Sequence, residues 1–203
     1  MSDTTSPRER IVEAADRLFA EHGFAATSIA DVAAAAGLLK GNVAYYFKTK
    51  QDVFDAVVLA RQQRLSRELT EGLAPDADAK TAIARLLAQV RSEADRLARF
   101  GCPIGSLSTE LGKTGDSLQS PAARPLLELE DYLRSQFGRV MTASAARECA
   151  EHLLALLQGA GVVAHARRDP AVVRRQVDAA SVWLDNVLAQ AAQLQGHPSR
   201  SAV

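Results

Sequence analysis

The chain has 203 residues, and its 47% hydrophobic content is enough to bury a sizeable core in one large or two modest domains. Its 24 basic and 24 acidic residues cancel, so no whole-chain field draws it to a nucleic acid or an anionic surface. No apolar run approaches the roughly 18 to 20 residues of a membrane span, the opening MSDTTSPRER has no secretory hydrophobic core, and Cys102 and Cys149 suit neither a disulfide framework nor a zinc site. The expectation is a cytoplasmic protein with no membrane partner.

The first helix starts at a compact signal, Ser6, Pro7 and Glu9, which combines a capping box with proline in the first turn. Ile11, Ala14, Ala15, Leu18 and Phe19 form one apolar stripe that ends near Gly23. The other face carries Arg8, Arg10, Glu13, Asp16, Arg17 and Glu21. It reads as a solvated charge face from which Arg8 or Arg10 could reach a phosphate.

A second helix follows behind Thr27 and Ser28, with Ile29, Val32, Ala33 and Ala36 at helical spacing and Gly37 able to end it in the left-handed conformation. After Leu38 the chain resumes with Lys40, Gly41, Asn42, Tyr45 and Tyr46, where Val43 and Phe47 are the residues suited to burial. Two short helices joined by a glycine turn make a helix-turn-helix whose second member can lie in a major groove. Between Asp31 and Asp52 the ionised side chains are Lys40, Lys48 and Lys50, a local basic cluster of the kind that neutralises phosphates.

Thr27, Ser28, Val32, Ala33, Ala36, Gly37, Leu38, Gly41, Tyr46, Phe47 and Lys50 together resemble the DNA-binding segment of the TetR family of transcription regulators. Two positions depart from the family pattern. Leu39 stands where a small hydroxyl residue is frequent, which removes a cap and a phosphate donor, and Ala44 stands where a tyrosine is frequent, which removes an aromatic DNA contact. The resemblance implies an all-α protein: a three-helix DNA-binding domain over residues 1–50, a helical ligand-binding and dimerisation domain over 51–195, and a loose tail over 196–203. It implies DNA contacts from Thr27, Ser28, Lys40, Gly41, Asn42, Tyr45, Tyr46, Lys48 and Lys50. Within that set, Lys40 suits guanine or phosphate, Asn42 suits adenine, Gly41 permits close approach, and Thr27, Ser28, Tyr45, Tyr46 and Lys50 suit phosphate positioning.

From Gln51 to about Glu71, the pattern Phe54, Val57, Val58, Leu65 and Leu69 predicts a longer fourth helix, which by the resemblance joins head to regulatory body. Residues 72–79 read as a break through Gly72 and Pro75, and Ile83, Leu86, Leu87, Val90, Ala94 and Leu97 resume one helical stripe. Gly101, Pro103 and Gly105 are read as breakers before a short helix from Ser106 to Leu111. This Gly-Cys-Pro-Ile-Gly stretch resembles, more loosely, the middle of some TetR-like regulatory domains. Cys102 there is a candidate thiol sensor, against which stands a small cysteine in a packed loop.

Residues 114–120 read as a loop, and Ser120 with Pro121 starts a helix whose stripe is Leu126, Leu129, Leu133, Phe137 and Val140. A ligand cavity among the central helices, implied by the resemblance, would be lined by Phe100, Cys102, Tyr132 and Phe137. Two long helices follow, about Ala145–Ala166 and Ala171–Gln195, separated by Asp169 and Pro170. By resemblance they supply a homodimer interface through Leu153, Leu157, Gly161, Val177, Ala180, Leu184 and Val187, with packing inside one subunit as the competing explanation.

The functional expectation is a regulator that binds double-stranded operator DNA as a homodimer. It would act as a repressor released by an unidentified small-molecule effector, with no cofactor, no metal and no catalytic residues. His22, His152, His165 and His197 lack metal-ligand spacing, and no phosphate-binding glycine loop is present. An all-helical ligand-binding or interaction protein that no longer reads DNA stays open as the alternative, with an enzyme behind it.

Overall fold

The computed structural model describes residues 6–74, 76–114 and 119–196. Among them are ten helices and no strand, the all-α class that the resemblance implies: α1 (Pro7–His22), α2 (Ile29–Ala35), α3 (Lys40–Tyr46), α4 (Lys50–Thr70), α5 (Ala79–Ser92), α6 (Ala94–Phe100), α7 (Pro103–Thr114), α8 (Gln119–Phe137), α9 (Ala143–Arg167) and α10 (Ala171–Gly196). Pro75 of the expected break, positions 115–118 of the expected loop and the tail from 197 onward lie outside the described residues. Packing sorts the chain into two units that do not follow a single cut: Met1–Arg67 with Cys102–Leu127, and Glu68–Gly101 with Glu128–Val203.

In the first unit, α1 begins as its residues dictate. Ser6 Oγ accepts from the Glu9 N–H at 3.2 Å, and the Glu9 carboxylate accepts from the Ser6 N–H at 2.8 Å. Ile11, Ala14, Ala15 and Phe19 are buried and meet Val32, Val43, Phe47, Phe54 and Val57 in one core, which Leu107 and Leu111 of α7 complete. Phe24 packs edge-on to both Phe19 and Phe54, with ring centroids 5.3 Å apart in each pair.

Asp16 corrects the expected solvated face of α1, because it is buried. A buried carboxylate is costly unless paired, and two cations from α4 meet this one. Arg61 Nε lies 2.6 Å from Oδ1, and Arg64 Nη1 lies 3.0 Å from Oδ2. Arg61, itself only 5% exposed, also donates to the carbonyl of Pro103 at the start of α7. Three helices are thus joined through the Arg61 guanidinium.

In the second unit, α10 packs on α9, α5 and α6, and α6 packs on α9. The stripe expected as one helix from Ile83 to Leu97 is two, because the chain turns at Glu93, whose N–H closes on Gln89. Tyr132 donates its hydroxyl to the Leu69 carbonyl at 3.3 Å. Burial raises its pKa, opposed by Arg85 and Arg139.

Three further expectations are revised. Pro103 opens α7 rather than breaking a helix, since proline's missing N–H costs nothing in a first turn, and Gly105 lies inside it. Helix α8 starts at Gln119, ahead of Pro121, and carries Pro125 in its interior. The seam expected between subunits is internal: Leu153, Leu157, Gly161, Val177, Ala180 and Leu184 are buried within this one chain and Val187 is half-buried, because α9 and α10 close on each other and on α5 and α6.

Removing the Asp16 carboxylate leaves Arg61 buried and uncompensated. Asp16→Ala should lower unfolding stability by about 3 to 5 kcal/mol, read as a fall in the urea midpoint with the slope unchanged. Loss below about 1 kcal/mol would mean that the pair behaves like a surface one.

Candidate nucleic-acid interface

The site is built on the two shortest helices of the first unit. Ser28 caps α2 and forms a reciprocal box with Asp31, its Oγ accepting from the Asp31 N–H at 3.2 Å while the carboxylate accepts from the Ser28 N–H at 2.8 Å. The Ser28 hydroxyl, donating to the Asp31 carboxylate, and then the Ser28 N–H hold that carboxyl below its ordinary range. At the other end Gly37 adopts φ 66°, and its N–H and that of Leu38 return to the carbonyls of Ala34 and Ala33. This is the paired closure that a left-handed residue allows. Arg10 of α1 donates to the Ala36 carbonyl, so the turn is also held from outside α2.

Helix α3 has seven residues and buries Val43 alone, with Phe47 buried just past its end. The remaining positions from Lys40 to Tyr46 are exposed. Tyr45 is 78% exposed and stands edge-on to Tyr46, centroids 5.0 Å apart. A Cβ at Gly41 would meet nothing within 4 Å, so no neighbour inside the chain requires glycine there. Lys40, Gly41, Asn42 and Tyr45 therefore form one accessible polar and aromatic face next to the exposed Lys48.

Helices α1, α2 and α4 all begin in reciprocal caps, the last from Thr49 and Asp52. Helix α3 does not. Its cap position is Leu39, 77% exposed, with no side-chain hydrogen bond.

The structure redistributes the expected contact residues. Thr27 is 3% exposed, and its hydroxyl donates to the Gly23 carbonyl at 2.8 Å, so it stiffens the turn before α2 and cannot reach a phosphate. Lys50 is half-buried rather than outward-facing. Its Nζ donates to the carbonyls of Phe24 and Ala25 and sits 4.2 Å from the Phe24 ring centroid, and burial lowers its pKa against the opposing charge of Glu110. Arg10 is engaged at Ala36 as described, and the Arg8 guanidinium lies over the Phe47 ring at 5.1 Å. Lys48 Nζ caps the Ala44 carbonyl at 3.1 Å while remaining exposed. Ser28 is exposed, with its hydroxyl shared with Asp31 at 2.6 Å.

One residue of the expected effector set is core. Phe137 is wholly buried, edge-on to Trp183 at 6.1 Å, and is core rather than lining. Cys102 belongs to the first unit, and Phe100 and Tyr132 belong to the second. Cys102 is half-buried at the start of α7, where its carbonyl accepts from the Ser106 N–H at 2.9 Å. The Cys149 thiol is pushed up in pKa, first by burial and then by Glu148, which keeps it protonated.

Residues 11–57 match the family model described as bacterial regulatory proteins, tetR family, and residues 77–179 match that of the transcriptional regulator LmrA/YxaF-like C-terminal domain. An HTH-type transcriptional regulator BetI of Burkholderia pseudomallei is 27% identical over 187 residues, covering 90% of this chain and 93% of its own. An HTH-type regulator of the lacX 3′ region of Lactococcus lactis is 23% identical, covering 84% and 89%. In fold, the chain is similar to a TetR transcriptional regulator from Chloroflexus aurantiacus, at TM-score 0.75 and 24% identity over 88% of this chain and 94% of the other. A TetR transcriptional regulator from Legionella pneumophila is similar at TM-score 0.75 and 18% identity, over 92% and 97%.

A hydroxyl at the open cap should stabilise α3. Leu39→Ser is expected to raise stability by about 0.5 to 1 kcal/mol, measured by thermal unfolding, and no gain would show that the first-turn amides are already satisfied by solvent.

Proposed function

This chain belongs to the tetR family of transcriptional regulators, and from that premise we propose that it is a repressor that binds operator DNA as a homodimer in the cytoplasm and is released by a small-molecule effector. The observation that carries the reading is α3 itself: a helix anchored by Val43 and Phe47 whose Lys40, Gly41, Asn42 and Tyr45 are left to solvent. Asn42 can pair with the N6 and N7 edge of adenine, Lys40 can donate to guanine or phosphate, and Gly41 admits the duplex closely. Tyr45, Tyr46, Lys48 and Ser28 supply hydrogen bonds and charge for phosphates, which set register without reading sequence.

One such helix reads few bases. A twofold dimer presents two of them to half-sites roughly 34 to 36 Å apart. With the internal seam of α9 and α10 committed to the subunit, the surface that remains for a second copy is apolar and small: Ala155, Gly159, Val162 and Val163 on α9, and Ala179, Val182 and Ala189 on α10. Val162 is 67% exposed and Val182 is 62% exposed, which leaves apolar surface that a second copy could cover. An effector that favours the DNA-incompetent state must weaken operator binding by the factor with which operator weakens its own. Phe100 and Tyr132, both half-buried in the second unit, remain the candidates to meet it.

Binding of the purified chain to the DNA upstream of its own gene, titrated at several salt concentrations, tests the reading. Asn42→Ala should cost about 1 to 3 kcal/mol at one base position per half-site. Lys40→Ala, if its contact is to phosphate, should weaken all sequences alike and reduce the salt slope by about one. Binding that ignores sequence in the wild-type chain would remove the proposal.

The dimer surface is tested separately. Val162→Glu with Val182→Glu should convert a dimer to a folded monomer in light scattering, and an unchanged mass would place the interface elsewhere.

A further inference from the structure

Glu110 of α7 reaches the turn between α1 and α2 across 85 residues of sequence. Its two carboxylate oxygens accept from the Phe24 N–H at 3.0 Å and the Ala25 N–H at 2.8 Å. The turn is shaped to receive them. Gly23 has φ 85°, and a Cβ on it would lie 2.9 Å from Glu110 Oε2, so a side chain there would both strain the backbone and press on the carboxylate.

The carbonyls of the same two residues, Phe24 and Ala25, face Lys50 Nζ of α4. The turn therefore has its donors on an anion from α7 and its acceptors on a cation from α4. Helix α7 is placed to hold this position, since Leu107 and Leu111 are buried in the core that also contains Val32 and Val43, and its first carbonyl accepts from Arg61.

We propose that Glu110 is a positioning residue for DNA recognition: by fixing the Phe24–Ala25 turn it sets where α2 and α3 stand against α1, and α7 is a working part of the DNA-reading head. The inference rests on the operator-binding reading above. Residues 103–114 lie outside both the expected head at 1–50 and the family match at 11–57, so this role is not contained in either. Any event in the chain that lifts Glu110 from the turn weakens operator binding without touching α3.

The full-length wild type, Glu110→Ala, Glu110→Gln and, as a control on the same helix, Lys113→Ala are compared by hydrogen exchange and by binding to the upstream DNA. In Glu110→Ala the Phe24 and Ala25 amides should exchange about tenfold faster and the operator Kd should rise about tenfold. Glu110→Gln, which keeps an acceptor but not the charge, should fall between that variant and wild type, and Lys113→Ala should match wild type. Unfolding of the second unit, reported by Trp183 fluorescence, should not shift. Unchanged protection at Phe24 and Ala25 would overturn the latch, and faster exchange with unchanged operator affinity would overturn its role in recognition. If the wild-type chain binds no DNA, the regulator reading fails instead, and the exchange comparison still decides whether Glu110 holds the turn.

Discussion

A largely buried charge organises the first unit. Asp16 sits on α1 among residues that bury Ile11, Ala15 and Phe19, and a carboxylate there is tolerable only with cations fixed beside it. Arg61 and Arg64 satisfy that requirement from α4, and Arg61 has a donor left over for the Pro103 carbonyl. Helices α1, α4 and α7 are therefore held in one register by a group that hydrophobic packing alone would not place so specifically. A buried, hydrogen-bonded ion pair adds directional constraints that apolar contact lacks.

That rigidity is what a short reading helix needs. Seven residues without a side-chain cap cannot sustain a helix alone, because nucleation costs more than so few hydrogen bonds return. Helix α3 exists because Val43 and Phe47 are seated in a core that other elements have already formed. The neighbouring turns are each held from a distance: the α2–α3 turn by Arg10 and the α1–α2 turn by Glu110 and Lys50. The outward face of α3 is thereby relieved of structural duty, and its polar and aromatic residues are free to meet a duplex.

The second unit shows a different economy of surface. Long helices with apolar residues at three- and four-residue steps have a face for their neighbours within the chain and a second, weaker face left over. Here the strong stripe, through Leu153, Leu157 and Leu184, is the internal one. The leftover face carries small residues and valines, which suit close approach of a like surface. Periodicity identifies the helices and their stronger face, but it does not say which neighbour that face meets.

Much of this was legible in the chain itself. The caps Ser6 with Glu9 and Ser28, the left-handed stop at Gly37, the buried pair Val43 and Phe47 and the open face of α3 all follow from local chemistry, in which each residue's partner lies within a turn or two. The all-α class was implied by the family resemblance, and the local helical spacing agrees with it. Four features were not legible. Asp16 looked like one more charge on a solvated face, Thr27 and Lys50 looked like phosphate contacts, Glu110 carried no signal at all, and Leu153 to Val187 were read by resemblance as an interface between subunits. Asp16, Lys50 and Glu110 depend on partners 25 to 86 residues away, while Thr27 turns back to the Gly23 carbonyl four residues before it. Local sequence determined where most of the helical segments lie and which face of each is apolar. Only the tertiary structure decided which charges those faces would enclose, because the cost of burying a charge is set by whichever distant group arrives to pair it.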